Sequence, residues 1–393
     1  MKLNDNLRTI LGAPYPFDVV DANKKAAAAK FGADHILDFG IGDPTDPTPR
    51  VVREAVKCAV DARAASGYPA SIGHEGFRRA VCGYLKTRFG VSVEPDELVG
   101  SYSAKFITSH IPLCLATPGA GDVVICENPG YPPYADGATL AGAEVWYLNL
   151  LQENNYKPDL SQVPDEVWRR AVCLFLNSPH SPTGITYGEE VYAPAIRMCA
   201  KHDVLLVSDE AYSELYFGKP PRTAFEYAGG EDCVVVVNSL SKRSMMTGYA
   251  VGFAASHNAE FIKAFATLLR KSTQGVATFI QDGAVAAWGD EAHTAEMRSE
   301  YAKRKAALVK ALRGIGCDVV DSTGTFFLWV KAPAGQHAEV FAEKLLMEKG
   351  INCVPAKLVS KTFGGVNPGE GYLRFSLTAP LWAMEEAARR LAG

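Results

Sequence analysis

The stretch CVVVVNSLSK, residues 233–242, decides the fold. Its four consecutive valines, residues 234–237, present apolar side chains on both faces of an extended chain, which is typical of a strand buried within a parallel sheet. The run then turns polar at Ser239 and Ser241 and ends on Lys242. Because lysine is rarely buried, its position at the end of such a strand needs an explanation other than packing.

Similar runs occur along the first two thirds of the chain. Apolar, β-branched segments that end in polar, glycine or proline residues are DVVICENPGY (122–131), AEVWYLNL (143–150), AVCLFLNSP (171–179) and VLLVSDEAY (204–212). Helix-like segments such as residues 189–203 lie between some of them. This alternation predicts a doubly wound α/β domain with a large, mostly parallel sheet. In such sheets chemistry gathers beyond the carboxyl ends of the strands, so the polar tails of these runs are expected at one edge.

The pattern changes after about residue 285. Residues 291–316 have the spacing of one long helix that ends on glycine. The segments GTFFLWVKAP (324–333), AEVFAEKLLMEKG (338–350) and GYLRFSL (371–377) then read as strand, helix and strand. The sequence therefore predicts a smaller α/β domain over residues 286–393, a large domain over residues 46–285, and an N-terminal arm with part of the small domain over residues 1–45.

Composition narrows the class of protein. The chain has 393 residues, a formal net charge of −4 and a pI of about 6.1, which argues against nucleic-acid or membrane-surface binding. The first twenty residues contain no long apolar segment, so neither a signal peptide nor a membrane span is expected. Nine cysteines without CxxC spacing predict a reducing, cytoplasmic location. The eight histidines lack ligand spacing, so no metal site is expected.

Lys242 has two interpretations. A desolvated lysine at a strand end has a lowered pKa and attacks aldehydes, whereas a surface lysine simply extends its stem over apolar neighbours. The hydroxyls of Ser239 and Ser241, followed by small residues with open backbone N–H groups, favour the first interpretation because such groups are suited to bind a phosphate. An aldehyde-reactive lysine beside a phosphate cradle suggests pyridoxal 5'-phosphate (PLP).

Other residues answer further requirements of this cofactor. The pyridine nitrogen needs a buried carboxylate, which Asp209 offers, and Tyr212 is a candidate partner for the ring hydroxyl. Tyr131, in a loop fixed by proline and glycine, is a candidate for stacking on the ring. The alternatives are a helix N-cap for Asp209 and a turn aromatic for Tyr131.

The chain resembles class I/II aminotransferases, which are fold-type I PLP enzymes, from about Gly40 to the C-terminus. The matching stretches are GIGDPTDPTP (40–49), GYPASIGHEGFRRAV (67–81), NPGYPPY (128–134), NSPHSPTG (177–184), SDEAYSELYF (208–217), SLSKRSMMTGYAVGF (239–253), GTFFLWV (324–330) and GYLRFSL (371–377). Within the family the chain is similar to diaminopimelate-type aminotransferases, especially in SKRSMMTGY and GTFFLWV.

The resemblance implies roles for the residues around the cofactor ring. Lys242 would form the Schiff base with PLP and act as acid and base. Asp209 would pair with the pyridine nitrogen, while Tyr212 would bind the ring oxygen. Tyr131 would stack on the ring, and Ser181 would be the second residue near the ring oxygen.

The resemblance to this family also implies a phosphate site and a substrate site. Residues Ser103, Ala104 and Lys105 would occupy the phosphate-binding helix start, opposite Ser239 and Ser241.

For the substrate, Arg374 would bind the α-carboxylate of an amino acid as a bidentate fork, against Gly42. Tyr68 would reach the cofactor phosphate of a neighbouring subunit, which implies a homodimer with shared active sites. Arg374 as a surface arginine on a strand is the alternative.

The sequence departs from the family pattern at cofactor contacts. Ser181 stands where the family has asparagine, and Ala250 where it has arginine; SAKF (103–106) replaces a glycine and a glutamate. Three explanations stay open: Arg243 or Lys105 replaces the charge, hydroxyls and backbone N–H groups hold the phosphate alone, or the space admits a larger substrate.

The sequence therefore predicts a PLP-dependent enzyme acting on an α-amino acid, with an aminotransferase as the main interpretation. One alternative keeps the fold and cofactor but diverts the chemistry to elimination or replacement, carbon–carbon bond formation or oxidation, as in natural-product biosynthesis. The other is a PLP-binding pseudo-enzyme or regulator. The joint presence of Lys242, Asp209, Tyr212 and Arg374 favours an enzyme.

Overall fold

The structure, a computed structural model, describes residues 3–12, 18–229 and 232–393. The helices are α1 Asp5–Gly12, α2 Asp18–Phe31, α3 Arg50–Ala62, α4 Glu75–Phe89, α5 Ala104–His110, α6 Pro112–Leu115, α7 Pro132–Ala141, α8 Asp165–Trp168, α9 Glu189–His202, α10 Leu240–Arg243, α11 Ala259–Ser272, α12 Thr278–Gly289, α13 Ala292–Gly314, α14 Ala338–Lys349 and α15 Leu381–Ala392. The strands are β1 Leu37–Asp38, β2 Leu98–Ser101, β3 Val123–Asn128, β4 Glu144–Asn149, β5 Ala171–Asn177, β6 Leu205–Asp209, β7 Val234–Ser239, β8 Gly252–Ala255, β9 Asp318–Val319, β10 Phe327–Lys331, β11 Ile351–Asn352, β12 Val354–Pro355 and β13 Tyr372–Ser376.

A seven-stranded sheet lies at the centre of the fold, in the order β2-β8-β7-β6-β5-β3-β4. Strands β3 to β7 pair in parallel, whereas β8 is antiparallel to both of its neighbours, β2 and β7. This confirms the predicted fold class, a large and mostly parallel sheet in an α/β protein.

The valine run of β7 shows why the sheet is covered on both faces. Val234 and Val236 pack in one apolar cluster, with residues of α4, α9 and α12. Val235 and Val237 pack in another, with residues of α5, α7 and α11. Since side chains alternate along a strand, a run that is apolar at every position requires helices on both sides.

A smaller sheet, β12-β13-β10-β9, is antiparallel, and β1 pairs in parallel with β11. One apolar cluster joins Leu37 and Phe39 near the N-terminus to residues between Met297 and Leu391, and it includes Tyr212 and Leu215. This cluster brings residues 37–42 beside the end of the large sheet. Among the helices described, none is long and apolar enough to cross a membrane.

Candidate active site

Parallel pairing aligns the ends of neighbouring strands in the large sheet. Asn177 of β5 pairs with Asp209 of β6, and β7 lies alongside β6. At the end of β7, Ser239 pairs with Gly252 of β8, which also pairs with Ser101 of β2. The polar tails of β5, β6 and β7 therefore reach the same edge.

Lys242 lies in α10, the four-residue helix that directly follows β7. Its Nζ donates to the carbonyl of Gly42 at 3.0 Å and lies 5.2 Å from the centre of the Phe326 ring. Burial lowers the pKa of Lys242 to about 8, although the nearby carboxylate of Asp43 acts in the opposite direction. The amine is therefore desolvated and loses its proton at a pH well below that of an ordinary lysine.

Asp209 is the last residue of β6 and is buried. Oδ2 accepts a hydrogen bond from the Tyr134 hydroxyl at 2.7 Å, and Oδ1 accepts one from the backbone N–H of Ala211 at 3.0 Å. Burial raises the pKa of Asp209, against these two bonds. A cation beside this carboxylate would supply the counter-charge that favours its ionised form.

Tyr212 is buried three residues after Asp209, and burial raises its pKa. The Ser181 side chain lies close to Tyr212 and acts to lower the pKa of Tyr212, against the larger effect of burial. Asn177 fixes Ser181 from behind, because its Oδ1 accepts from the Ser181 backbone N–H at 2.7 Å while its Nδ2 donates to the Asp209 carbonyl at 2.8 Å. The structure therefore brings Ser181, Tyr212 and Asp209 together.

Tyr131 is the N-cap residue of α7. Its ring meets the Tyr134 ring edge-on, with 5.7 Å between centroids, and the hydroxyl of that same Tyr134 binds Asp209. Because Tyr131 remains 38% exposed, part of its ring surface is open to a ligand.

Arg374 lies in β13 and is buried. Its Nη2 donates to the carbonyl of Gly40 at 2.8 Å, and its guanidinium lies 4.6 Å from the centre of the Phe327 ring. A Cβ at Gly42 would approach Phe327 to 2.8 Å, so this position has no room for a side chain. Arg374 and Lys242 thus approach the same short segment, residues 40–42.

The start of α5 lies against the end of β7. Ser103 is the N-cap of α5 and Ala104 its first residue. A Cβ at Gly252 would lie 3.0 Å from the Cβ of Ser239 and 3.1 Å from the carbonyl oxygen of Tyr102, so glycine permits this close approach.

Ser239 and Ser241 precede Lys242 in this turn, and both residues are buried. Lys105, the second residue of α5, is exposed.

Arg243 does not supply the charge that is missing at Ala250. Its Nη1 donates to the Ala287 carbonyl at 2.6 Å, and its Nη2 forms an ion pair with Glu291. The guanidinium therefore binds the junction of α12 and α13, because α10 directs it away from Ser239. Ala250 itself has φ 49° and ψ 58°, in the left-handed region.

Tyr68 is not brought to these residues by its own chain. It is 87% exposed in a segment between α3 and α4.

Sequence reasoning missed two residues that hold this site together. Tyr134 lies in the quoted NPGYPPY segment, and its spacing of three residues from Tyr131 on a helix places both on one face. Asn177 is the last residue of β5 and opens the quoted NSPHSPTG segment. Position at a strand end was the available signal for Asn177, whereas its hydrogen bonds depend on the fold of the loop.

The residues at this edge fit PLP. Lys242 provides a desolvated amine for the aldehyde, and the buried carboxylate of Asp209 is suited to a protonated ring nitrogen. Ser103, Ser239 and the N–H groups at the start of α5 suit a phosphate. No group of three or more His, Cys, Asp or Glu side chains in the described parts of the chain is placed to hold a metal ion.

Comparison with known proteins identifies the family. The family described as "Aminotransferase class I and II" matches residues 34–391. An LL-diaminopimelate aminotransferase of Nitratidesulfovibrio vulgaris strain Miyazaki F is 36% identical over 396 residues, covering 100% of this chain and 98% of that protein. Another, from Aquifex aeolicus, is 34% identical over 394 residues, covering 99% of this chain and 98% of that protein. The solved structure of an aminotransferase from Neisseria meningitidis Z2491 matches with a TM-score of 0.89 at 27% identity, covering 99% of each chain. This chain therefore belongs to the class I and II aminotransferase family and is a PLP-dependent transferase.

Proposed function

We propose that this aminotransferase transfers an amino group between LL-diaminopimelate and a 2-oxo acid. The observation that carries the chemistry is the desolvated amine of Lys242, 3.0 Å from the Gly42 carbonyl and at the same sheet edge as the buried carboxylate of Asp209. The choice of amino acid is supported by relatives of that name that align over nearly the whole chain.

When bound, PLP supplies an electron-withdrawing ring that stabilises negative charge at the substrate α-carbon. Lys242 is proposed to hold the cofactor and to move the proton at that carbon. Its lowered pKa supports this role, because a base whose pKa lies near neutrality accepts and returns a proton most effectively. Residues 40–42 and Phe326 exclude water from the amine.

Asp209, Tyr212, Ser181 and Tyr131 are proposed to hold the ring. Asp209 keeps the ring nitrogen protonated, and Tyr134 orients the Asp209 carboxylate through its hydroxyl. Tyr212 and Ser181, whose side chains lie close together, act jointly toward the ring oxygen. Tyr131 covers one ring face, which its exposed surface supports.

Arg374 and Gly42 are proposed to bind the substrate α-carboxylate. Arg374 is fixed by the Gly40 carbonyl and by the Phe327 ring, so its charge is held in one place. Gly42 lacks a side chain because the Phe327 ring lies against it, and its segment is the one that Arg374 and Lys242 both approach.

The phosphate is proposed to bind between two short segments. Ser103, Ala104 and Lys105 lie at the start of α5, and Ser239 and Ser241 lie across from them. Since Arg243 is committed to α12 and α13, Lys105 is the remaining candidate among the two cations for replacing the missing arginine.

The active molecule is proposed to be a homodimer, with Tyr68 of each subunit reaching the phosphate of the other. The exposure of this tyrosine supports the assignment. We also propose the division into residues 1–45, 46–285 and 286–393, which the apolar cluster that joins the N-terminal segment to residues 297–391 supports. A cytoplasmic location is proposed because all nine cysteines are free.

The test is a half-reaction. The holoenzyme is incubated with LL-diaminopimelate and no 2-oxo acid, and the cofactor is then extracted and separated by chromatography. The proposal predicts conversion to pyridoxamine 5'-phosphate with one equivalent of 2-oxo product, and no conversion in Lys242→Ala. Release of ammonia or carbon dioxide with the cofactor unchanged would overturn transamination. Faster conversion with an amino acid of apolar side chain, such as L-norleucine, would overturn the substrate assignment alone.

A further inference from the structure

Three side chains next to the lysine turn form a hydrogen-bonded chain. Oδ2 of Asp290 lies 3.0 Å from Nδ1 of His293, and Nε2 of His293 lies 2.9 Å from Oγ of Ser244. Ser244 is fully buried, two residues after Lys242, and His293 is 9% exposed. Asp290 ends α12 as its C-cap, and His293 lies in the first turn of α13. These hydrogen bonds therefore link the lysine turn to the junction of α12 and α13.

The partners fix the protonation of His293. A carboxylate accepts hydrogen bonds only, so the Asp290 contact assigns the proton to Nδ1. Nε2 is then an acceptor, and the Ser244 hydroxyl donates to it. Nη1 of Arg243 also points toward Nε2, at 3.5 Å, which suits an unprotonated nitrogen. Burial and Arg243 lower the pKa of His293, while Asp290 and Glu291 act in the opposite direction.

The order Asp–His–Ser matches that of a hydrolytic triad, but burial excludes such a role. Ser244 is 0% exposed, so no acyl group can reach its hydroxyl. What the contact does instead is hold the backbone of Ser244, whose N–H donates to the Leu240 carbonyl at 3.0 Å and closes the turn that contains Lys242.

That turn needs external support. Helix α10 has four residues, far fewer than an isolated helix requires for stability in water. The residues after Lys242 are each anchored elsewhere: Arg243 to the carbonyl of Ala287, Ser244 to His293, and the carbonyl of Met245 to the Thr48 hydroxyl at 2.7 Å. The Ser244 anchor is the one made through a neutral, oriented histidine.

We infer that His293 is a positioning residue for Lys242: oriented by Asp290, it holds Ser244 and thereby fixes the direction in which the lysine leaves α10. The inference rests on the proposed role of Lys242. Lysine has a long, flexible stem, so a small rotation of the turn displaces Nζ from the Gly42 carbonyl and from the substrate α-carbon.

Two substitutions of His293, one of Ser244 and one control distinguish a role in positioning Lys242 from a role in the stability of the fold. His293→Gln places an amide where Nε2 lies, so its oxygen accepts from Ser244. His293→Asn reaches only the place of Nδ1. Ser244→Ala removes the other partner. Ser256→Ala is the matched control: its hydroxyl is also fully buried and donates to the Val234 carbonyl at 2.7 Å, at the opposite end of β7.

Each holoenzyme is assayed for kcat per bound cofactor, for KM, for the rate at which cofactor is released on dilution, and for urea-induced unfolding. His293→Asn and Ser244→Ala are expected to lower kcat about 100-fold, the loss that a displacement of about 1 Å causes at a reacting group. They should release cofactor faster and leave KM unchanged, because Arg374 lies on another element. His293→Gln should recover most of kcat, and Ser256→Ala should affect unfolding alone.

Wild-type kcat and cofactor retention in Ser244→Ala would overturn the inference, and so would equal losses in His293→Asn and His293→Gln. If His293→Asn does not fold, the inference is tested by comparing kcat and cofactor release in Ser244→Ala with those in Ser256→Ala. Borohydride reduction of the wild-type holoenzyme distinguishes failure of the proposed function from failure of the inference about His293. Cofactor found away from Lys242 would overturn the proposed function. Cofactor on Lys242 together with fully active variants would overturn the inference alone.

Discussion

At the scale of single residues, Ala250 is the position where the resemblance to the family predicts an arginine. Its left-handed backbone costs about 1–2 kcal/mol for a residue with a Cβ. Arginine also has a Cβ, so Ala250→Arg leaves this strain unchanged and isolates the effect of the side chain. A charge-assisted contact with phosphate is worth about 1.5–3 kcal/mol. We therefore expect cofactor to dissociate from Ala250→Arg about 10–100-fold less readily, as measured by equilibrium dialysis.

Turnover distinguishes a lost phosphate contact at Ala250 from space that receives the substrate. If alanine at position 250 only removes a contact with the cofactor phosphate, Ala250→Arg binds cofactor more tightly and stays active. If the space receives part of the substrate, cofactor binds at least as tightly but turnover is lost. Unchanged cofactor retention would show that position 250 does not face the phosphate.

Glu127 gives the stability of the protein a pH dependence. This buried carboxyl accepts from the Asn177 N–H at 2.8 Å and the Tyr187 hydroxyl at 2.7 Å, and burial raises the pKa of Glu127 to about 8. Between the pKa of an unfolded glutamate, about 4.3, and that of Glu127, the folded protein binds a proton that the unfolded chain does not. This contribution is therefore fully present below about pH 4 and is lost as the pH rises through 8, by on the order of 5 kcal/mol.

Glu127→Gln keeps the shape but does not titrate. Urea unfolding of this variant should show a shallower decline in the free energy of unfolding between pH 5 and 8 than the wild type. Glu386→Gln is the control in the same pH range, because hydrogen bonds to Arg389 and Arg390 lower the pKa of Glu386 to about 2 and it does not titrate there. Parallel curves for Glu127→Gln and the wild type would mean that Glu127 is ionised in the folded protein at neutral pH.

At the scale of elements, two asparagines attach a loop of the C-terminal region to the large sheet. Asn128, at the end of β3, donates through Nδ2 to the Lys361 carbonyl at 2.7 Å and accepts through Oδ1 from the Lys361 N–H at 2.8 Å. Its Nδ2 also donates to Asn149, whose Nδ2 donates to the Phe363 carbonyl at 3.0 Å. Tyr131 follows Asn128 by three residues, so the clamp lies beside the proposed ring site.

Removing this clamp should destabilise the protein in a graded way. Asn128→Ala loses three hydrogen bonds and leaves buried partners unsatisfied, which should cost about 3 kcal/mol. Asn149→Ala loses fewer bonds and should cost less. Urea unfolding checks both variants. If Asn128→Ala lowered the free energy of unfolding by no more than Asn149→Ala does, the clamp as described would be contradicted.

Strands with a long apolar run were predictable, and short ones were not. The five runs from residue 122 to residue 242 each contain a strand of the large sheet, because length and β-branching mark them. β2 (LVGS) and β8 (GFAA) have four residues each and no such run. Strand β8 is placed by pairing with β7, and β2 by pairing with β8, which are properties of the folded sheet.

The same limit applies to the site. A strand-end position predicted that Lys242, Asp209 and the serines would share one edge, because parallel strands align their ends. The direction of Arg243 was not predictable, since a four-residue helix has no periodicity to assign a face. Its guanidinium lies 5.0 Å from the Tyr84 ring and 5.3 Å from the Trp288 ring, contacts that only the packed fold creates.

At the scale of the whole molecule, the proposed homodimer would cover apolar side chains that one chain leaves exposed. Tyr68 is 87% exposed, and Ile41, Val51 and Val60 are each nearly half exposed. The proposed homodimer predicts that Tyr68 acts on the partner's site. When Lys242→Ala and Tyr68→Ala subunits are mixed and re-associated, each hybrid dimer should therefore contain one fully intact site.

Activity of the mixture should rise above the sum of the two parent variants. A matched mixture of Lys242→Ala with Arg374→Ala should show no such gain, because each hybrid dimer then carries one defect in each of its two sites. No gain in the Tyr68 mixture, with exchange demonstrated by mass spectrometry, would show that Tyr68 serves its own chain.

The account depends most directly on one lysine. The holoenzyme is reduced with borohydride, digested, and mapped by mass spectrometry for the phosphopyridoxyl group. The desolvated amine of Lys242 predicts a single modified peptide that carries the group on Lys242 and is absent in Lys242→Ala. The group on another lysine, such as Lys105, or on none, would contradict the proposed active site.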